Sequence, residues 1–171
     1  MGQIIRLPIS PVPYPNTSAK LDTAESVLLI AIRWWVAAYR QGENALARLC
    51  RGFEAAGAYE AAFAIDNLMD IVARTVRRPI DVHCPRCPNV SDDEKHLLHA
   101  AALAQAGQGD LAAKALRITL LSAQGADFAL LALEGLGELF ADARLFFRPR
   151  VPPTADGLET WSVAPPGETR H

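Results

Sequence analysis

The chain has 171 residues, half of them apolar, with 17 basic and 19 acidic side chains and a formal net charge of −2. That length and apolar content suit one globular domain with a substantial core. The slightly acidic balance excludes a bulk electrostatic attraction to nucleic acid or to an anionic membrane.

The start, "MGQIIRLPISPVPYP", lacks a continuous apolar run and carries four prolines by residue 15, so no secretory signal is expected. It begins Met-Gly, but Arg6 stands where a myristoylation pattern needs Ser or Thr. The twelve prolines fall in residues 8–15, 79–88 and 149–166, leaving 16–78 and 89–148 free of them. Proline is costly inside a helix, so those two blocks are where long helices can run. The division predicts an extended arm over 1–20, an all-α domain over 21–147 with a connector at 76–91, and a flexible Pro-rich tail over 148–171. Small apolar groups in the arm (Ile4, Ile5, Leu7, Tyr14) and in the tail (Leu158, Trp161, Val163) suit docking, either on the domain or on a partner.

In the first block, Asp22 with Glu25 three residues on reads as a capping box for a helix over about 23–40. Its most apolar part, residues 26–39, has Arg33 in the middle and falls short of the roughly 20 apolar residues of a membrane span, so a buried helix is expected. Trp34 and Trp35 point about 100° apart, one toward the core and one elsewhere. A second helix over about 44–56 aligns Leu46, Leu49, Cys50 and Phe53 on one face, with Gly57 as its stop. A third over about 59–75 sets Ala62, Ile65, Met69 and Val72 opposite Asp66, Asp70 and Arg74.

In the second block, Ser91 with Glu94 is another capping box, for a helix over about 92–106, with Asp92 and Asp93 in its first turn. "GQGD" at 107–110 is a turn with Asp110 as the next N-cap. A fifth helix is expected over about 111–123, ended by Gly125. A sixth over about 127–146 carries Leu130, Leu133 and Phe140 on one face and Asp127, Glu134, Glu138 and Asp142 on a solvated one. No segment alternates cleanly enough for a strand, apart from pieces as short as "IIRL". The expected fold is all-α, a compact bundle of about six antiparallel helices built as helical hairpins.

The segment "HLLHAAALAQAGQGDLAAKALRITL" resembles a helix-turn-helix hairpin of the tetratricopeptide type, with "LARLCRGFEAAGAYEAAFAI" a looser echo. The two Gly turns stand about 50 residues apart, not 34, and the repeat's aromatic and proline signposts are missing. No family follows from it. The resemblance implies only a lean toward protein-binding helical scaffolds.

The chemistry-bearing stretch is "HCPRCPNVSDDEKHLLH", residues 83–99. A C-x2-C turn can present two thiolates to one ion, and two histidines at i and i+3 share one side of a helix. Cys84, Cys87, His96 and His99, with His83 as an alternative ligand, therefore form a candidate zinc site joining the connector to the fourth helix. An iron–sulfur cluster would need Cys50 or a histidine as well. A thioredoxin-type redox pair would sit at a helix N-terminus in a βαβ context, whereas Pro88 and Asn89 follow Cys87 here. The plain alternative is a proline-stiffened loop with two reduced cysteines. With one close pair among three cysteines, the chain fits a reducing cytoplasm better than a secreted disulfide framework.

Arg74, Arg77, Arg78 and Arg86 gather around the connector, as cations at a helix C-terminus or as partners for Asp92, Asp93 and Glu94. No phosphate loop, G-x-S-x-G elbow, HExxH or Glu-x-x-His di-metal motif is present. The expected function is a non-enzymatic, cytoplasmic adaptor or regulatory module that binds another protein through a helical face and its arms. The alternative is a metal-binding or thiol redox-sensing protein acting through the Cys/His cluster.

Overall fold

Asp22 and Ser91 each open a helix with a reciprocal cap. The Glu25 N–H donates to the Asp22 carboxylate at 2.9 Å, and the Asp22 N–H donates to the Glu25 carboxylate at 3.0 Å. Likewise the Glu94 N–H donates to Ser91 Oγ at 3.1 Å, and the Ser91 N–H to the Glu94 carboxylate at 2.9 Å. Each arrangement satisfies two backbone donors that a helix start otherwise leaves open.

The computed structural model describes residues 11–54 and 58–153. The two caps start α1 (Thr23–Gln41) and α4 (Asp92–Gln105). Between them run α2 (Ala45–Glu54) and α3 (Tyr59–Thr75), and after them α5 (Gly109–Thr119) and α6 (Ala123–Asp142). A single 3-10 turn, Ser18–Lys20, precedes α1. Among the described residues there is no strand, only three isolated bridges, and no helix is long and apolar enough to cross a membrane. Over the described residues the fold is all-helical, as the sequence predicts.

Short turns fold the helices into hairpins. Gly42 closes α1 in the left-handed conformation, φ 68°, with its N–H on the carbonyls of Ala38 and Tyr39. α3 and α6 pack antiparallel: Thr75 at the end of α3 meets Gly125 near the start of α6, while Ala58 and Ala61 face Leu139 and Ala143 at the other end. α4 lies against both α5 and α6, so α6 joins the two halves. Leu28, Ile32, Leu49, Ile65, Leu97, Leu116 and Phe140 are fully buried between these layers.

Several expected faces are present. Leu49 and Phe53 of α2 are buried, with Leu46 and Cys50 packed beside them. Ala62, Ile65, Met69 and Val72 of α3 are buried. Trp35 enters the core and donates from Nε1 to Asp66 at 2.7 Å, whereas Trp34 packs over Gly52. A Cβ at position 52 would collide with the Trp34 ring, so α1 and α2 approach closely because that side chain is missing.

Four expectations are corrected. Gly125 does not end a helix. Ser122 caps α6 by accepting from the Gly125 N–H at 3.1 Å, and Gly125 lies buried in the first turn, where any Cβ would overlap the Thr75 side chain. Close helix packing, not helix termination, requires that glycine, and α6 starts four residues before the expected 127. Asp110 is not an N-cap but a first-turn residue, since Gln108 precedes the helix. The tail does not begin at 148, because residues 148–151 are tied down. Arg148 N–H donates to Asp22, Val151 N–H to Val12 O, and Arg150 to Glu25. The N-terminal arm is docked as well over its described part, with Tyr14 buried and Thr17 bridged to Asn89. Ile4, Ile5, Leu7, Gly57, Leu158, Trp161 and Val163 lie outside the described residues.

Candidate functional site

A proline-rich loop has a surplus of acceptors, because each proline keeps its carbonyl but brings no N–H. In Cys84-Pro85-Arg86-Cys87-Pro88-Asn89 the missing donors come from elsewhere in the chain. Cys87 N–H donates to Cys84 O at 3.0 Å and closes a turn with Pro85 at its second position. Arg33 donates from Nη1 to Cys87 O at 2.7 Å and from Nη2 to Asn89 O at 2.6 Å. Ser18 donates to Pro88 O from its backbone N–H at 2.8 Å and from its hydroxyl at 3.2 Å. Asn89 O also lies 3.0 Å from His83 Nδ1.

The anchor of this loop is an ion pair. Arg33 is 2% exposed and meets the fully buried Glu94 through two bonds, Nε to Oε1 at 2.7 Å and Nη2 to Oε2 at 2.9 Å. Glu94 also accepts from the backbone N–H groups of His83 (3.0 Å) and Ser91. Burial works against the Arg33 charge, but Glu94 outweighs it and the guanidinium is held above its ordinary pKa. One residue earlier, Asp93 accepts from Arg78 at 2.6 and 2.9 Å and from the Asp81 N–H at 2.7 Å. Burial pushes the Asp93 carboxyl up, yet Arg78 and the Asp81 N–H together hold it below its ordinary value. Three of the four arginines around the connector are engaged within the fold: Arg78 binds Asp93, Arg74 binds Asp70, and Arg77 donates to Ile118 O.

The helix geometry separates the four proposed zinc ligands. Successive helical residues turn by about 100°, so His96 and His99 lie about 200° and 140° around α4 from Glu94. Because Glu94 faces Arg33 and the Cys84–Cys87 turn, both histidines face the other way. Cys84 is exposed beside Ile30, Trp34 and Arg48, and Cys87 is half-buried. His96 and His99 are buried on the far side of α4, and His83 binds within the connector. Among the described residues no three His, Cys, Asp or Glu side chains stand close enough to hold a metal ion. The quartet expected from spacing is not brought together.

What the histidines line instead is a groove of about 550 Å³ between α4, α5 and residues 150–153. Its inner wall includes Arg150, which binds Glu25 through Nε (2.7 Å) and Nη2 (2.6 Å) and lies 5.5 Å over the Tyr14 ring. The Tyr14 ring meets His99 edge-on, centroids 6.0 Å apart. Both Tyr14 Oη and His99 Nδ1 are buried without a hydrogen-bond partner. Burial, with His96 nearby, pushes the His99 pKa down, and burial with Glu25 nearby pushes the Tyr14 phenol up.

Sequence reasoning missed Arg33, Arg150 and Tyr14 as organising residues. For Arg33 a signal was available: a charge at the centre of an apolar helix needs a buried partner. For Arg150 none was, since its partner is 125 residues away. Compared with protein-family models, with curated proteins and with solved structures, the chain matches none.

Proposed function

We propose that this is a non-enzymatic helical adaptor, acting in a reducing, cytoplasmic compartment, that docks a basic amphipathic helix of another protein on the outer face of α6. The observation that carries this reading is the composition of that face. Phe128 and Leu131, three residues apart, are 53% and 73% exposed. Asp127, Glu134, Glu138 and Asp142 are exposed along the same helix, Asp127 paired with Arg117 at 2.8 Å and the other three in no ion pair among the described residues. Large apolar side chains open to water inside an acidic frame suit a partner with apolar anchors and flanking Lys or Arg. The described parts of both arms support a helical face rather than the arms as the contact, because Tyr14 and Arg150 are engaged with the domain. All three cysteines are free, in keeping with a reducing compartment.

The test compares the wild type with a Phe128→Ser/Leu131→Ser variant, whose exposed positions leave the fold intact. A partner isolated with the wild type is purified and titrated against both. Direct binding that weakens at least about tenfold in the variant and falls with added salt supports the reading. Equal binding by both proteins would sink it.

A further inference from the structure

The groove between α4, α5 and residues 150–153 lies apart from the α6 face. Its volume, about 550 Å³, lies in the range of small-molecule sites. Leu103, Leu111, Ala115, Ile118, Pro152 and Pro153 form its apolar wall. Leu111 and Ile118 stand two turns apart on α5, about 10 Å along its axis, and are 50% and 58% exposed.

The polar lining has one sign. His96, His99, Lys114, Thr119 and Arg150 contribute, and no carboxylate does. Arg150 is already neutralised by Glu25, and the Thr119 hydroxyl donates to Ala115 O at 2.8 Å. Lys114 is exposed and in no ion pair among the described residues. His99 is more than nine-tenths buried with its Nδ1 unpartnered. That nitrogen is closed off from the groove, so a ligand meets the ring through Nε2, which makes no hydrogen bond among the described residues. One unpaired ammonium and one imidazole beside an apolar trough suit a single negative charge on an apolar body.

We propose that this groove binds a small amphipathic monocarboxylate, its alkyl or aryl chain along Leu111 and Ile118 and its carboxylate held by Lys114 and the His99 imidazole. The site is independent of the α6 face, and either proposal stands if the other fails.

Decanoate, kept below its micellar concentration, is the probe, titrated into the full-length protein by calorimetry, with backbone amide NMR to map the site. The expected result is one saturable site whose shifts centre on Leu111, Lys114, Ile118 and His99. Lys114→Glu and Ile118→Asp, both at exposed positions, each weaken it by about tenfold, a loss typical of a charge-assisted bond or a lost apolar contact. Decanol, lacking the charge, and butyrate, lacking the chain, each bind at least about tenfold more weakly. The proposal is overturned if decanoate does not saturate, if decanol binds as well as decanoate, or if both variants bind like wild type. It is also overturned if decanoate binds only after Leu158→Ser/Trp161→Ser, which assigns the groove to the chain's own C-terminal segment.

Discussion

Arg33 and Glu94, 61 residues apart in sequence, share two charge-assisted bonds in the interior, and the same glutamate closes the cap of α4. Glu25 does the equivalent at the start of α1, capping the helix while it holds Arg150. In each case the third residue of a helix fixes a distant segment: the Cys-Pro turn in one, residues 148–151 in the other.

Losing one partner of a buried ion pair leaves the other charge stranded, at a cost of about 3–5 kcal/mol. Arg33→Met is expected to fall in that range in urea denaturation. It also frees the Cys87 and Asn89 carbonyls, so amide exchange should rise at Cys87 and Val90. Arg33→Lys should rescue little, because an ammonium cannot reach Glu94 and two carbonyls with one planar fork. An Arg33→Met variant as stable as wild type would remove the pair from its anchoring role.

Acid should destabilise the fold in two separate steps. His99 is held below its ordinary 6.5, so the unfolded chain takes up that proton first. Its contribution is complete above 6.5 and is lost as pH falls below that value. Asp93 is held below its ordinary 3.8, so its contribution is complete above 3.8 and is lost as pH falls through its lowered value. His99→Leu should flatten the first limb of a stability–pH profile, and Asp93→Asn the second. A profile in which His99→Leu leaves the upper limb unchanged would count against this assignment.

Gly125 tests the α3–α6 contact. Alanine there would place its methyl group inside the Thr75 side chain, which itself donates to Ile71 O at 2.7 Å and has little room to rotate. Overpacking of this kind costs about 1–3 kcal/mol. Gly135, further along α6, has nothing near its missing Cβ, so Gly135→Ala should be neutral or stabilising by the helix propensity of alanine. Thermal melts should show a lower midpoint for Gly125→Ala and an unchanged or higher one for Gly135→Ala, and a harmless Gly125→Ala would refute the close approach.

How far the sequence could be read follows from the range of each interaction. Capping boxes involve residues three apart, so Asp22–Glu25 and Ser91–Glu94 were legible and set the starts of α1 and α4 correctly. Gly125 was misread because a glycine that stops a helix and one that lets two helices touch look alike without the neighbour, Thr75. The cysteine–histidine cluster had acceptable spacing, but spacing does not say which way α4 is rotated. Arg33 decides that: once it holds Glu94, His96 and His99 turn to the opposite side. The groove they line needs Arg150 and Pro153, which no local pattern connects to α4.

The Cys-Pro-Arg-Cys turn provides the last test. Its carbonyls carry the hydrogen bonds seen in the structure: Cys84 O accepts from Cys87, Cys87 O and Asn89 O from Arg33, and Pro88 O from Ser18. Cys84 is exposed, so Cys84→Ser should change stability by less than about 0.5 kcal/mol. Treating the reduced protein with a chelator should leave its melting temperature where it was. A structural zinc would behave otherwise, since its ligation energy is folding energy and losing one thiolate forfeits much of it. Elemental analysis of protein purified without a metal-affinity tag decides the point. Near one zinc per chain, lost together with stability in Cys84→Ser, would mean that α4 rotates to bring His96 and His99 round and that the Arg33–Glu94 pair opens. No metal and an unchanged melt would leave the turn as a clasp closed by Arg33.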